Sequence, residues 1–463
     1  MFLRMRLIVQ RAVIALFLLA SISGRAKDVL TWQTDRDRVT ADIQSVELLR
    51  VLEGVAKLTG WHIFIESNLN ANVSVKFQEL LSGDALHRLL GELNYAFVPQ
   101  TNGRARLFVF RTARANATVA IQPGDINPGK KMEATKIPNE LIVRLKPGAN
   151  IDDLAKKLGA KVLGKIDGLN AYRLQFPDEA AANAALAQLT GNPDVASVEN
   201  NYHMEQPPLV AKLDSTSGVP PPVQLKLNPP GDTGRVIVGL ADTAIQKQGG
   251  ELDQFIYKSI SVAGEAGSDL GSPSHGTSMF QDILRGVANT AGGSSSVQVL
   301  SVDVYGRDVT ANSFNVAAGI AAAVNNGANI INLSLGSEND SQVLHDIIAQ
   351  AAQKGIPVFA AAGNNATARP FYPAAYAEVI SVTAGNQGQL APYANYADYI
   401  KLMVPGSAVV YYNGQPYLVS GTSTSSAISA GLAAGVADSK KVTASTAAGA
   451  LLGNGSLLFK PAK

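Results

Sequence analysis

From residue 236 to 404 the chain alternates short, nearly continuous apolar runs with longer stretches of helical spacing. The runs occupy 236–240, 297–304, 330–335, 358–361, 379–382 and 400–404. Runs apolar at every position suit parallel strands buried on both faces. Between them, 315–325 and 342–354 repeat apolar residues at helical intervals. With right-handed crossovers this alternation predicts an α/β fold with a doubly wound, mostly parallel sheet. Such sheets bind ligands beyond the carboxyl ends of their strands. Asp242, Ser334, Gly336 and Asn364 all fall just past apolar runs, and so on that edge. Strand-like Tyr417-Leu418-Val419 leads into Ser420-Gly421-Thr422-Ser423-Thr424-Ser425-Ser426, and small helix-compatible residues follow. Ser423 is therefore expected at a helix N-terminus, where unpaired N–H groups favour negative charge.

Two small α+β domains are expected upstream. In the first, 28–114, residues 39–43 read as a strand, and Ser45 is placed to cap a helix carrying Leu48, Leu49, Leu52, Val55 and Leu58, stopped by Gly60. Residues 62–65 and 73–77 read as strands. Ser82 is placed to cap a second helix, and 107–110 closes with a strand. An Ala-, Gly-, Pro- and Lys-rich linker, 115–135, follows. The second domain, 137–205, has the order β-α-β-β-α-β, which is ferredoxin-like. Residues 206–231 hold many prolines and read as an exposed linker before the α/β domain at 232–463. At the start, Arg4, Arg6 and Arg11 precede an apolar stretch and small residues, so 1–26 reads as an export signal, with an uncleaved anchor as the alternative. The mature chain is then expected in the periplasm or outside the cell.

Composition narrows the chemistry. Hydrophobic residues make up 46% and charged residues 16% of the 463, which indicates core-forming domains. A net charge of +2 with no basic stripe argues against nucleic acid as a partner. Cysteine is absent, which removes disulfides, thiol catalysis and cysteine metal sites. No compact run of acidic ligands stands out, so no metal or cofactor is expected.

A nucleophilic serine needs a base, and the base needs an orienting carboxylate. Of five histidines, His275 lies in Ser274-His275-Gly276-Thr277-Ser278-Met279. Asp242 ends one apolar run and Asn364 follows another, in Ala362-Gly363-Asn364. Taken singly, each has a bland reading: the serine cluster as a polar turn, His275 as a core histidine.

Together, Asp242-Thr243, His275-Gly276-Thr277, Ser334-Leu335-Gly336, Ala362-Gly363-Asn364 and Gly421-Thr422-Ser423 resemble, in order and spacing, the motifs of the subtilisin-like serine proteases (subtilases). The likeness runs over roughly residues 232–450. It implies a serine endopeptidase acting on polypeptides, with Asp242, His275 and Ser423 as the triad and Asn364 in the oxyanion hole. It further implies that Ser334, Leu335, Gly336, Ala362 and Gly363 line the substrate cleft. Ala244 replaces a usual glycine, Ser278 a second histidine, and Ala427-Ile428 a Pro-His pair. Residues 137–205 resemble the subtilase propeptide, ending in Val195-x-x-Val198-Glu199-x-Asn201. This implies an intramolecular inhibitor, with self-cleavage expected somewhere in 206–231. Residues 28–114 are similar to the short N-terminal domain of secretins and TonB-dependent receptors, which implies docking to a periplasmic protein; an unrelated small domain is the alternative. Two other functions stay open: a catalytically weakened subtilisin-fold binding or signalling module, and an esterase with the same triad.

Overall fold

The computed structural model describes residues 29–66, 72–91, 93–99, 105–111, 114, 117–121, 123, 136–204, 211–213, 219–230, 234–266, 271–308 and 310–454. The expected export signal at 1–26, and most of both expected linkers, lie outside these residues. The chain divides into two compact units, an N-terminal one and a larger one that contains 131–463.

In the N-terminal unit, strands Val29–Gln33 (β1) and Arg38–Glu47 (β2) are followed by helix Leu48–Thr59 (α1). Then come His62–Glu66 (β3), Asn72–Leu80 (β4), helix Ser82–Leu90 (α2), Asn94–Val98 (β5) and Arg106–Phe110 (β6). Strands β1, β2 and β4 form one antiparallel sheet. A further strand, Ala117–Ile121 (β7), which belongs to the larger unit, falls where only linker was expected. The expected caps are displaced. Residue 45 lies inside β2, because pairing with β4 (Val46↔Val73, Glu47↔Asn72) extends the strand to the first helical residue. The α1 cap position is Glu47, and that of α2 is Leu81; neither side chain caps. Strands β1 and β5 were not expected.

Residues 137–205 follow the expected order: Lys136–Leu145 (β8), Ile151–Leu158 (α3), Lys161–Ile166 (β9), Ala171–Gln175 (β10), Glu179–Leu189 (α4) and Val195–Tyr202 (β11). The sheet runs β11-β8-β10-β9, all antiparallel. Asn150 and Asp178 cap the two helices by accepting from Asp152 N and Ala181 N. Alternation along β8 sorts its two faces. Leu141, Val143 and Leu145 join the local core under α3 and α4, whereas Ile142 joins the core of the following domain. That second face is why 137–205 falls in the same compact unit as the residues that follow it.

Two short strands, Ala211–Lys212 (β12) and Lys226–Leu227 (β13), precede the main sheet. Its strands and helices run Ile237–Asp242 (β14), Ile256–Ser261 (β15), His275–Ala291 (α5), Ser294–Ser295 (β16), Gln298–Asp303 (β17), Ser313–Asn325 (α6), Ile330–Leu333 (β18) and Gln342–Gln353 (α7). Val358–Ala361 (β19), Ile380–Asn386 (β20), Gln389–Leu390 (β21), Leu402–Val404 (β22), Ser407–Tyr412 (β23), Gln415–Ser420 (β24), Thr422–Lys440 (α8) and Ala444–Leu452 (α9) complete it. The spatial order is β15-β17-β14-β18-β19-β20-β21, with β22 also on β20; every pair but β20–β21 is parallel. Helices α6 and α7 cover one face and α5, α8 and α9 the other. The edge strand β15 escaped the sequence reading because it is partly exposed and lacks a continuous apolar run.

Helices α5 and α8 make their approach through glycine. A Cβ on Gly286 would lie 2.3 Å from the Ile428 carbonyl oxygen, one on Gly431 2.0 Å from that of Ile283, and one on Gly435 2.0 Å from Thr290 Oγ1. The pairings 283 with 431 and 287 with 435 advance together, so the two helices run parallel. Gly431→Ala must push helix backbones apart. It is expected to cost roughly 1–3 kcal/mol or more, read as a lowered urea midpoint.

Candidate active site

Strand β14 is buried throughout and ends at Asp242. The next strand is β18, registered Leu240↔Asn332, so Asp242 and Ser334 leave the sheet at the same edge. Helix α5 begins there with His275, capped by Ser274 Oγ accepting from Thr277 N at 3.1 Å. Its first turn touches the end of β14 directly. A Cβ on Gly276 would stand 1.9 Å from the Thr243 carbonyl oxygen, and Gly276 N donates to Thr243 Oγ1 at 2.8 Å. Only glycine permits this contact, and it brings His275 Nδ1 to 2.8 and 2.9 Å from the two Asp242 oxygens. A carboxylate only accepts, so Nδ1 carries the hydrogen and Nε2 presents a lone pair. His275 Nε2 is buried and has no hydrogen-bond partner.

Ser423 is the second residue of α8. Its Oγ donates to the Ser334 carbonyl at 3.1 Å, and Ser334 Oγ donates to the Ser423 carbonyl at 3.0 Å. The hydroxyl is thus turned to β18 and not bonded to His275. Catalytic hydrogen bonds commonly form only once substrate is bound.

Asn364 is held by its oxygen. Oδ1 accepts from Thr422 N at 2.8 Å and from Thr422 Oγ1 at 3.1 Å, while Thr422 Oγ1 accepts from Gly363 N at 3.1 Å. This fixes the amide orientation and leaves Nδ2 as the donor for an outside oxygen. Thr422 was quoted in the serine motif, but its positioning role was not legible without these contacts.

The other expected cleft residues divide. Leu335 is packed into the core of the α6–α7 face. Gly336 lies against Phe371 and Tyr372, with a built Cβ 2.3 Å from the Phe371 ring. Ala362 is fully buried, its N–H donating to Val382 O and its carbonyl accepting from Asn395 Nδ2 at 2.8 Å. Gly363 has φ +101, and a Cβ there would meet Asn395 Nδ2 at 2.4 Å. The Ala362 N–H and carbonyl and the Gly363 N–H thus bond within the protein, next to Asn364. The motif departures also avoid the reacting atoms. Ala244 O accepts from Ser274 Oγ at 2.8 Å, Ser278 Oγ returns to Ser274 O at 3.2 Å, and Ala427 and Ile428 fill the core of the α5–α8 face.

A buried polar chain beneath the site was not expected from sequence. Ser426 Oγ donates to Asn332 Oδ1 at 2.8 Å, Asn332 Nδ2 donates to Ser334 Oγ at 2.9 Å, and Ser334 reaches Ser423. The available signal was an asparagine inside an otherwise apolar strand. Among the described residues no group of three or more His, Asp or Glu gathers as a metal site.

A buried carboxylate orients an imidazole, an adjacent serine starts a helix, and an amide is fixed beside it. These are the parts a hydrolase with a serine nucleophile requires. Residues 233–453 match the model of the subtilase family, and 128–201 match the fervidolysin N-terminal prodomain. The chain is 32% identical to subtilisin BL of Lederbergia lenta over 189 residues, 38% of this chain and 70% of that protein. It is also 32% identical to a thermophilic serine proteinase of Bacillus sp. (strain AK1) over 210 residues, 44% of this chain and 52% of that one. The chain belongs to the subtilase family of serine proteases. It spans about half or less of the length of several curated relatives that it matches. Among solved structures, fervidolysin from Fervidobacterium pennivorans superposes with TM-score 0.50 at 18% identity, covering 67% of this chain and 56% of that one. That likeness shows the fold.

Asn332→Ala strips partners from two buried hydroxyls, Ser426 and Ser334. The expected cost is about 1–3 kcal/mol, measured by chemical denaturation, with Asn332→Asp a control that keeps the acceptor.

Proposed function

We propose that this protein is an exported serine endopeptidase that cleaves peptide bonds with Asp242, His275 and Ser423, and with Asn364 in its oxyanion hole. The observation that carries the reading is the buried Asp242–His275 pair, whose bare Nε2 belongs to the same strand edge as Ser423 and Asn364. In the reaction Ser423 Oγ leaves the Ser334 carbonyl and attacks the scissile carbonyl carbon. His275 Nε2 takes the hydroxyl proton, and Asp242 stabilises the imidazolium. The oxyanion accepts from Asn364 Nδ2 and Ser423 N–H, at the positive end of α8. The C–N bond then breaks as His275 gives the proton to the leaving amine, and water releases the acyl group by the same steps.

Residues 137–205 fit a ferredoxin-like inhibitory prodomain. In support, β11 continues into the protease: His203 bridges to Asn312 and Met204 N–H donates to Ala311 O at 2.9 Å. Strand β12 then pairs with β24, the strand that leads to Ser423. Both flanks of 205–210 are thus held by the protease, which favours self-cleavage within the linker. For 28–114 the proposed role remains docking to a periplasmic protein, supported by its β-α-β-β-α-β core order; the family comparisons cover none of it.

Wild type and Ser423→Ala would be treated with a fluorophosphonate and weighed intact. Labelling of wild type alone, with loss of the N-terminal mass, is expected. An unlabelled, full-length wild type that leaves casein intact would sink the protease reading in favour of a binding module; turnover of esters but not casein would favour an esterase. Asn364→Ala should lower kcat by on the order of 10²–10³, the value of such a donor in subtilisin. Thr422→Ala should lower kcat roughly tenfold, as one positioning hydrogen bond is lost, while Thr422→Ser retains it.

A further inference from the structure

Asp282 is the fully buried acid that the mechanism above leaves unused. It follows His275 by about two turns of α5 and so lies on the same helix face. Both of its carboxylate oxygens are buried without a regular hydrogen bond. The groups facing it are few. On its own helix these are His275, toward the active site, and Arg285, whose Nε stands 3.9 Å from Oδ1. From α8 comes the hydroxyl of Thr424, the residue after Ser423. The Arg285 guanidinium is itself held by the Val409 carbonyl of β23.

A buried carboxylate without hydrogen bonds is costly. It is tolerated where something offsets the charge or where the group carries a proton. Here burial pushes the Asp282 carboxyl up to about 7, against the opposing pull of Arg285, Thr424 and His275. Near neutrality the group therefore changes charge while the base beside it is working.

We propose that Asp282 is a second, electrostatic positioning residue of this active site: ionised, it stabilises the His275 imidazolium from two turns further along α5. Two carboxylates then share one imidazole. Asp242 holds its tautomer and orientation by direct hydrogen bonds, and Asp282 adds charge through space along the helix. The proton it exchanges passes to solvent, and no bond to substrate is involved. The proposal rests on the protease reading above.

The test compares the pH dependence of kcat/KM in wild type and Asp282→Asn. The amide is isosteric with the protonated acid, so the fold is expected to persist. Loss of a negative charge near the imidazolium makes that imidazolium easier to deprotonate. Unit charges about 10 Å apart at an effective dielectric near 20 couple by about one pH unit, and because Asp282 is partly protonated on the acid limb, that limb should move to lower pH by roughly half a unit. The plateau kcat should fall up to about tenfold. A limb that stays in place, whatever the plateau does, would overturn the proposal, since a merely structural role shifts no limb. Wild type without activity at any pH would overturn the protease reading, and this role with it.

A second readout needs no activity. Asp282 titrates higher in the folded state than at the ordinary carboxylate value of 3.8. Its contribution to stability is therefore present below that value and is lost as pH rises through about 7. Asp282→Asn should gain in Tm relative to wild type between pH 5 and pH 8. An unchanged difference across that range would show that Asp282 does not change charge there, and would also overturn the proposal.

Discussion

Where His275 meets Ser423 is decided by how closely two parallel helices pack. Each residue lies in the first turn of its helix, α5 or α8, and neither is joined to the other by any nearby stretch of chain. What holds the helices together is contact of glycine against backbone, at Gly286, Gly431 and Gly435. Around these lie Ala427, Ala430 and Ala434, all fully buried. A methyl group at any of the glycines has no room without separating the helices. Because interiors are close-packed, such a separation passes along the whole helix to its first turn. At the other end, Gly276 seats that first turn directly on the Thr243 carbonyl. The geometry of the site is therefore a consequence of missing side chains as much as of present ones.

This close approach buries the polar mouth of α8, and buried polar groups need partners. The serines of that turn are bonded individually: Ser425 to the Val404 carbonyl, Ser426 to Asn332, and Ser423 and Ser334 to each other across two bonds. Ser423 thus rests with its hydroxyl satisfied by the Ser334 carbonyl. Thr422 does for the Asn364 amide what Asp242 does for the His275 ring. It fixes which end of an otherwise ambiguous group, the Asn364 amide, faces outward.

The sheet was legible from sequence because strands buried on both faces leave continuous apolar runs. The observed β14, β17, β18, β19, β20 and β22 overlap the expected runs with edges shifted by a few residues. Strand β15, exposed along much of its length, left no such run. Asp242, Asn364 and Ser423 stand out because polar residues follow apolar runs there, and His275 because it is one of five histidines and sits in a Ser-His-Gly-Thr turn. Ala362 and Gly363 were legible as part of the motif, but the bonds their backbone makes to Val382, Asn395 and Thr422 were not, because those partners are distant in sequence. Helix starts in the N-terminal unit failed for a different reason. Ser45 is a good local cap, and the pairing of β2 with β4 overrode it. Asp282 was invisible because an acid in a helix reads as exposed unless both neighbouring helices are known to be parallel and close.

The contact between 137–205 and the protease has two layers with different consequences. One is polar. Glu140 takes Arg173 through two bonds and Asn201 through a third, and Asn201 Oδ1 in turn accepts from Ser313 Oγ and Phe314 N at the start of α6. Glu199 accepts from Ser341 Oγ and Gln342 N at the start of α7. Both helices also own a cap, Asn312 for α6 and Ser341 for α7. Their N–H groups would therefore find water and these caps if the segment left, so the polar layer confers register more than strength. The other layer is apolar. Ile142, Ile166, Leu169 and Ala171 share one core with Phe314, Ala317 and Ile347. Gly164 lies so close to Phe314 that a Cβ would stand 2.8 Å from its ring. Separating this segment from the rest would expose that ring and its neighbours, so the apolar layer is the part of the contact that resists its release.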